Sequence, residues 1–180
     1  FTGWRWSRAM PALGRVAVLG LLAALVVVLD AKGLEAVDPR WIGEKERRVS
    51  AVVRDLEPLL RDPRLGAAGG RPVTVQVMDL TEGGIHALLR LGRRQPTRFI
   101  YDFHFFHDAS DPRIQALRAE FVSGLEAAPP AAIVVFSYVW TTKGYERLAD
   151  LPALGALLER AYALAVEGDG YRIYAKRADS

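Results

Sequence analysis

VAVLGLLAALVVVL, residues Val16 to Leu29, is the longest uncharged apolar run in the chain, and its reading decides how the remainder is organised. As a helix the run covers about 21 Å, short of the ~30 Å hydrocarbon core of a bilayer. Extending it back to Ala9 gives 9–29, about 31 Å, and takes in Pro11 and Arg15. Pro11 falls in the first turn, where a missing N–H costs little, and Arg15 lies near enough to that end to reach headgroups along its own stem. The leucines and valines of the run favour insertion by about 4 kcal/mol in total, which outweighs a peripheral arginine. A buried core helix is the competing reading for an apolar run this short. A secretory signal has a similar run, yet no A-x-A site follows it near Asp30 to Gly33. The sequence therefore predicts a transmembrane helix at 9–29.

Working outward from that helix, residues 1–8 form a basic stub in which Trp4 and Trp6 suit an interfacial aromatic belt. Arg5, Arg8 and Arg15 precede the run, whereas Asp30, Lys32, Glu35 and Asp38 after it nearly balance. The positive-inside rule then places the stub in the cytoplasm, a linker at 30–43, and an extracytoplasmic domain at 44–180 in a cell-membrane protein. A first residue of Phe1 rather than methionine reads as a fragment of something longer. The whole chain has 180 residues, 51% hydrophobic and 25% charged, which is enough for one sizeable core and not two. The absence of cysteine excludes a disulfide scaffold, so that core carries the stability. A net charge of +3 with scattered arginines excludes a nucleic-acid footprint, which needs basic residues gathered on one face.

The domain from 44 onward reads as α/β. Val49, Val52, Val53, Leu56 and Leu60 predict an amphipathic helix from Glu44 to Arg61, with Pro58 expected to kink it or end it early. Strands are expected at 73–78, 98–103, 132–137 and 170–176. Between them lie a helix capped by Thr81 and closed by Gly92, one starting at Asp111-Pro112, and one from Asp150 running to Gly168. This alternation predicts a three-layer domain built on a mainly parallel sheet of about four strands, with the direction of the last strand left open. Ligands on such sheets bind beyond the carboxyl ends of the strands, which directs attention to the loops at 79–84, 104–111 and 137–145.

Asp79 and Glu82, in Asp-Leu-Thr-Glu-Gly-Gly, suit either acceptance of hydrogen bonds from sugar hydroxyls or capping of the helix that follows. That loop lacks the spacing of a dinucleotide site, and its carboxylates repel phosphate. Asp102, His104 and His107 lie in Asp-Phe-His-Phe-Phe-His; on a strand, Asp102 and His104 share a face. They are candidates for substrate binding, or else belong to a packed structural loop that Phe103, Phe105 and Phe106 fold onto an apolar surface; no zinc pattern is matched and no metal site is expected. Arg90, Arg93, Arg94 and Arg98 suit a membrane or lipid-phosphate contact, or else the solvated end of a helix. Tyr138, Trp140 and Tyr145 suit stacking on a sugar ring or a place in the membrane interface. Ser137 lies outside any G-x-S-x-G elbow.

One final apolar helix feeding an α/β domain, with the blocks Arg71-Pro-Val-Thr-Val-Gln-Val-Met-Asp79, Gln95-Pro-Thr-Arg-Phe-Ile-Tyr101, Pro129-Pro-Ala-Ala-Ile-Val134 and Gly170-Tyr-Arg-Ile-Tyr174, resembles a known layout. It is similar to the C-terminal region of multi-spanning GT-C superfamily glycosyltransferases, such as bacterial relatives of the dolichyl-phosphate-mannose protein mannosyltransferases. The resemblance implies transfer of a sugar from a polyprenyl-phosphate donor to an extracytoplasmic acceptor, with the acidic catalytic residue upstream and none in this segment. It also implies membrane lipid, the upstream transmembrane region and a lipid-linked sugar or glycan acceptor as partners, and no cofactor within these residues. The alternative expectation is a ligand-binding or sensor domain on a single membrane anchor.

Overall fold

The computed structural model describes residues 12–36, 43–63, 72–137 and 144–178. The stub with Trp4 and Trp6, the glycines at 66–70, and Tyr138 with Trp140 lie outside the described residues. The chain divides into two units, 1–43 and 44–180.

In the first unit, helix α1 (Ala12–Ala36) contains the apolar run. Its side chains from Val16 to Val28 are exposed. Among the described residues no helix is long and apolar enough to cross a membrane, which corrects the expectation of a transmembrane helix at 9–29. The reason is the placement of charge. Arg15 lies in the first turn of α1, and Asp30, Lys32 and Glu35 lie in the same helix beyond Leu29. They clip the uncharged part to about 21 Å, well short of the ~30 Å that a span needs.

In the second unit, Val49, Val52, Leu56 and Leu60 recur at helical spacing on α2 (Glu44–Arg61), and all four are buried. Glu44 and Glu46 in the first turn and Arg61 in the last complement the helix dipole. The helix continues past Pro58, because Leu56 and Leu60 on either side are held in the core and offset the roughly 3 kcal/mol that an interior proline costs. Strand β1 (Val75–Met78) leads to α3 (Gly84–Arg90), the short α4 (His104–His107) and α5 (Pro112–Ala127). Asp111 caps α5 by accepting from the Arg113 N–H at 2.7 Å, with Pro112 in the first turn, as the sequence predicts. Strand β2 (Ala132–Phe136), a 3-10 segment (Gly144–Asp150), α6 (Pro152–Ala161) and the strands β3 (Tyr162–Gly168) and β4 (Tyr171–Lys176) complete the unit.

The sheet has the order β1-β2-β4-β3, in which only β1 and β2 are parallel. The β2–β4 and β3–β4 pairs are antiparallel, so the mainly parallel sheet expected from the sequence is corrected to a mixed one. Two misread segments account for the change. Residues 98–103 form no strand, because the outer edge of β1 is already taken. The Val75 N–H donates to the Arg94 carbonyl at 3.0 Å and the Val77 N–H to Gln95 Oε1 at 2.9 Å, leaving no ladder for another strand. Residues 162–168, expected as the end of a helix, are β3. Asp169 and Gly170 make a two-residue hairpin turn into β4, with Gly170 at φ 78°.

Side chains alternate across this sheet and feed two apolar layers. Val75, Val77, Ala132, Val134, Phe136 and Ile173 face α2 and α3. Met78, Ile133 and Val135 face the aromatic and leucine side chains of α4, α5 and α6. Tyr171 joins the first layer and donates its hydroxyl to Asp55 Oδ2 at 2.5 Å, tying β4 to α2. Burial pushes the Asp55 carboxyl up, but the hydrogen bonds from Arg54 and Tyr171 together hold it below its ordinary value. Burial and the Asp55 charge both push the Tyr171 phenol up.

A depressed carboxyl adds stability above its unfolded pKa and loses it as the pH falls through the folded value. A raised phenol adds stability below its unfolded pKa of about 10 and loses it as the pH rises further. Tyr171→Phe is therefore expected to cost about 1 kcal/mol near neutral pH. The gap to wild type should narrow in acid below the carboxylate range and again in alkali. Denaturant melts across pH check this, and a gap independent of pH would exclude the Tyr171–Asp55 linkage.

Candidate functional site

Because β1 and β2 run parallel, the segments leaving Met78 and Phe136 emerge at the same end of the sheet, where such sheets bind ligands. The first turns immediately onto α3. The Asp79 side chain, not Thr81, organises it. Its carboxylate accepts from the backbone N–H of Glu82 at 2.7 Å, Gly83 at 3.1 Å and Gly84 at 2.7 Å. Burial pushes the Asp79 carboxyl above its ordinary value, while the N–H groups of Gly84 and Gly83 and the nearby Lys45 charge pull against that rise. Glu82 turns away to pair with Arg48, which also holds Glu44 at 2.7 Å. A Cβ at Gly84 would lie 2.9 Å from the Phe136 ring and 3.1 Å from Asp79 Oδ2, so the turn needs glycine there for space.

Asp102 reaches the same end by a different route. Its N–H donates to the Asp79 carbonyl at 3.2 Å, and its buried carboxylate pairs with Arg147 of the 3-10 segment at 3.0 Å. Arg147 also donates to the Gly144 carbonyl at 2.7 Å and sits over the Phe106 ring. His104 and His107 lie on α4 rather than on a strand, and both imidazoles are exposed while Asp102 is buried. The shared face expected for Asp102 and His104 is thus absent, because the chain coils after Phe103 to bury Phe105 and Phe106. Among the described residues no group of three or more His, Cys, Asp or Glu side chains could hold a metal ion.

The four arginines do not converge. Arg90 pairs with Glu46 at 2.8 Å across to α2. Arg98 makes a bidentate bridge to Glu120 of α5 at 2.6 and 2.8 Å. That bond holds the Glu120 carboxyl below its ordinary value. Arg94 is exposed and Arg93 half-buried, on the connection leaving α3. Of the third loop, only its ends fall among the described residues. Tyr145 is half-buried, and Arg172 lies 4.1 Å from its ring centroid.

Several contributors escaped sequence reading. Gln76 is fully buried on β1 and donates to Gln95 Oε1 at 2.7 Å and to the Phe99 carbonyl at 3.2 Å, while Thr97 donates to Gln76 Oε1 at 2.7 Å. Arg118 is buried and donates through Nε to the Phe105 carbonyl at 2.8 Å. A buried polar residue inside an apolar pattern was the available signal for Gln76; Arg147 had no local one. These bonds hold the 94–107 segment against the sheet. On its outer side Arg98, Phe99, Ile100, Tyr101, His104 and Leu117 line a surface hollow of about 340 Å³.

Compared with protein-family models, curated proteins and solved structures, the chain shows no match. Asp79, Glu82 and Asp102 each direct oxygen atoms to internal donors, so none stands as an unengaged general acid or base. The hollow offers apolar surface with donors and acceptors at its rim.

Two outcomes test the construction of this end. Arg147→Met leaves the Asp102 carboxylate buried without its partner and is expected to cost about 3–5 kcal/mol. Pairing it with Asp102→Leu should recover much of that loss, and additive losses in urea melts would exclude the coupling. Gly84→Ala should cost about 1–3 kcal/mol from overpacking, measured in the same way.

Proposed function

We propose that the chain is a non-catalytic accessory domain of a membrane glycosyltransferase. In this reading the parent enzyme transfers a sugar from a polyprenyl-phosphate donor to an extracytoplasmic acceptor, using catalytic groups outside these residues. The domain sits at the cell membrane, on its outer side, and helps to hold the acceptor or the lipid-linked donor. The observation that carries the non-catalytic part is the internal engagement of Asp79, Glu82 and Asp102, the carboxylates the sequence offered as substrate-binding candidates. The membrane setting is supported by the exposed apolar stretch from Val16 to Val28, a surface that water solvates poorly and that lipid or an apolar protein face would cover. The sequence blocks resembling GT-C enzymes supply the class of reaction.

Expression of the full chain followed by membrane fractionation tests this reading. Wild type is expected in the membrane fraction, with no sugar transfer from a polyprenyl-phosphate hexose by the purified chain alone. Replacing Val18, Leu22 and Val26 with Glu removes apolar contacts of about 1.5–3 kcal/mol each and should release the chain to the aqueous fraction. A wild-type chain found in the aqueous fraction, or turnover by the chain alone, would end the proposal.

A further inference from the structure

Outside α1, the large apolar side chains exposed among the described residues are Leu89, Ile100, Tyr101 and Leu164. Two of these are consecutive and line one hollow, the one beside α4 and α5. Their segment is irregular, yet it is held from both ends. On one side Thr97 and Gln95 bond to Gln76, and Phe99 is buried with its ring 5.2 Å from Phe105 and 5.6 Å from Phe121. On the other side Asp102 is locked to Arg147. Between these anchors Ile100 and Tyr101 are turned outward, 49% and 47% exposed. A backbone fixed this firmly keeps its apolar side chains in water, a cost that a bound partner removes.

The chemistry around them selects the partner. Tyr101 offers a flat apolar ring with a polar tip. Arg98 is steadied by the two bonds to Glu120 and by its position 4.8 Å from the Phe99 ring centroid. That pair presents donors and an acceptor side by side, and the exposed imidazole of His104 adds another polar group. Because Glu120 already takes two bonds from Arg98, this guanidinium is engaged and does not favour a phosphate or carboxylate over a neutral ligand. A ligand with one apolar face, an edge of hydroxyl groups and no charge matches this set, and a hollow of about 340 Å³ admits a sugar ring.

We propose that this hollow is a saccharide subsite that takes a neutral pyranose, with its C–H face on Tyr101 and its hydroxyls toward Arg98, Glu120 and His104. The inference deepens the accessory-domain reading, on which its biological setting rests, by naming the surface that touches the sugar. The test is an NMR titration of the isotope-labelled full chain in a sugar-free zwitterionic detergent. The probes are methyl α-mannopyranoside, methyl β-glucopyranoside and inorganic phosphate. At least one glycoside is expected to shift the amide signals of 98–104, and phosphate is not. Tyr101→Ala should weaken that binding about tenfold or more, and Tyr101→Phe, which keeps the ring, should hold it within about threefold. Leu164→Ala, on the far edge strand, should leave it unchanged. No shift with either glycoside, equal binding by Tyr101→Ala, or the same shifts with phosphate overturns the subsite. If that happens in a chain that still fractionates with membranes, the accessory-domain reading survives. Loss of membrane association ends that reading whatever the titration shows.

Discussion

The Asp102–Arg147 pair sets the geometry of the candidate site. Taking a carboxylate and a guanidinium out of water is costly unless each finds the other and further hydrogen-bonding groups, and here the arginine also holds a backbone carbonyl. The two residues come from distant parts of the sequence, one just before α4 and one on the 3-10 segment after β2. Their meeting fixes the carboxyl end of the sheet, since Asp102 is also bonded through its backbone to the Asp79 turn. Phe105 and Phe106 then enter the core beside it, and Arg118 on α5 holds the Phe105 carbonyl.

A second constraint is the free edge of β1. An unpaired strand edge invites further pairing, and this fold closes it with a loop rather than with a strand. The Arg94 carbonyl and the Gln95 side chain take the outward N–H groups, and Gln76 reaches back from the strand to the same loop. That closure turns 98–103 into a displayed segment: Phe99 points in, while Ile100 and Tyr101 point out. The hollow thus follows from how an edge was satisfied. Asp79, Glu82 and Asp102, read from the sequence as substrate-binding candidates, bond within the fold, whereas Arg98 and His104 reach the hollow together with Ile100 and Tyr101.

The two units have different surface chemistry. Helix α1 exposes valine and leucine along its described side chains, whereas the α/β unit buries most of its own apolar residues.

Local pattern was sufficient wherever one element's own periodicity or cap decides its form. The apolar spacing of α2, the Asp111-Pro112 start of α5, the apolar strand at 132–136 and the last strand were all legible, as was the α/β class, while the count of four strands agrees only because β3 takes the place of the strand expected at 98–103. The Asp79 and Glu82 turn was legible as a capping acidic loop, though the choice of Asp79 over Thr81 was not. Strand direction, the identity of β3 and the coil at 98–103 were decided by pairing between distant segments. The extent of α1 past Leu29 likewise departed from the apolar pattern, since helix formation tolerates charges that a bilayer interior would not. The burial of Gln76, Arg118 and Arg147 depended on donors and acceptors brought in from elsewhere in the chain, because a polar side chain enters a core only where such partners satisfy it. The sequence by itself determined the elements whose own apolar period or cap decides their form, as in α2, α5 and β2. The tertiary structure alone decided which charges cancel and which apolar side chains remain exposed, because both depend on partners remote in sequence.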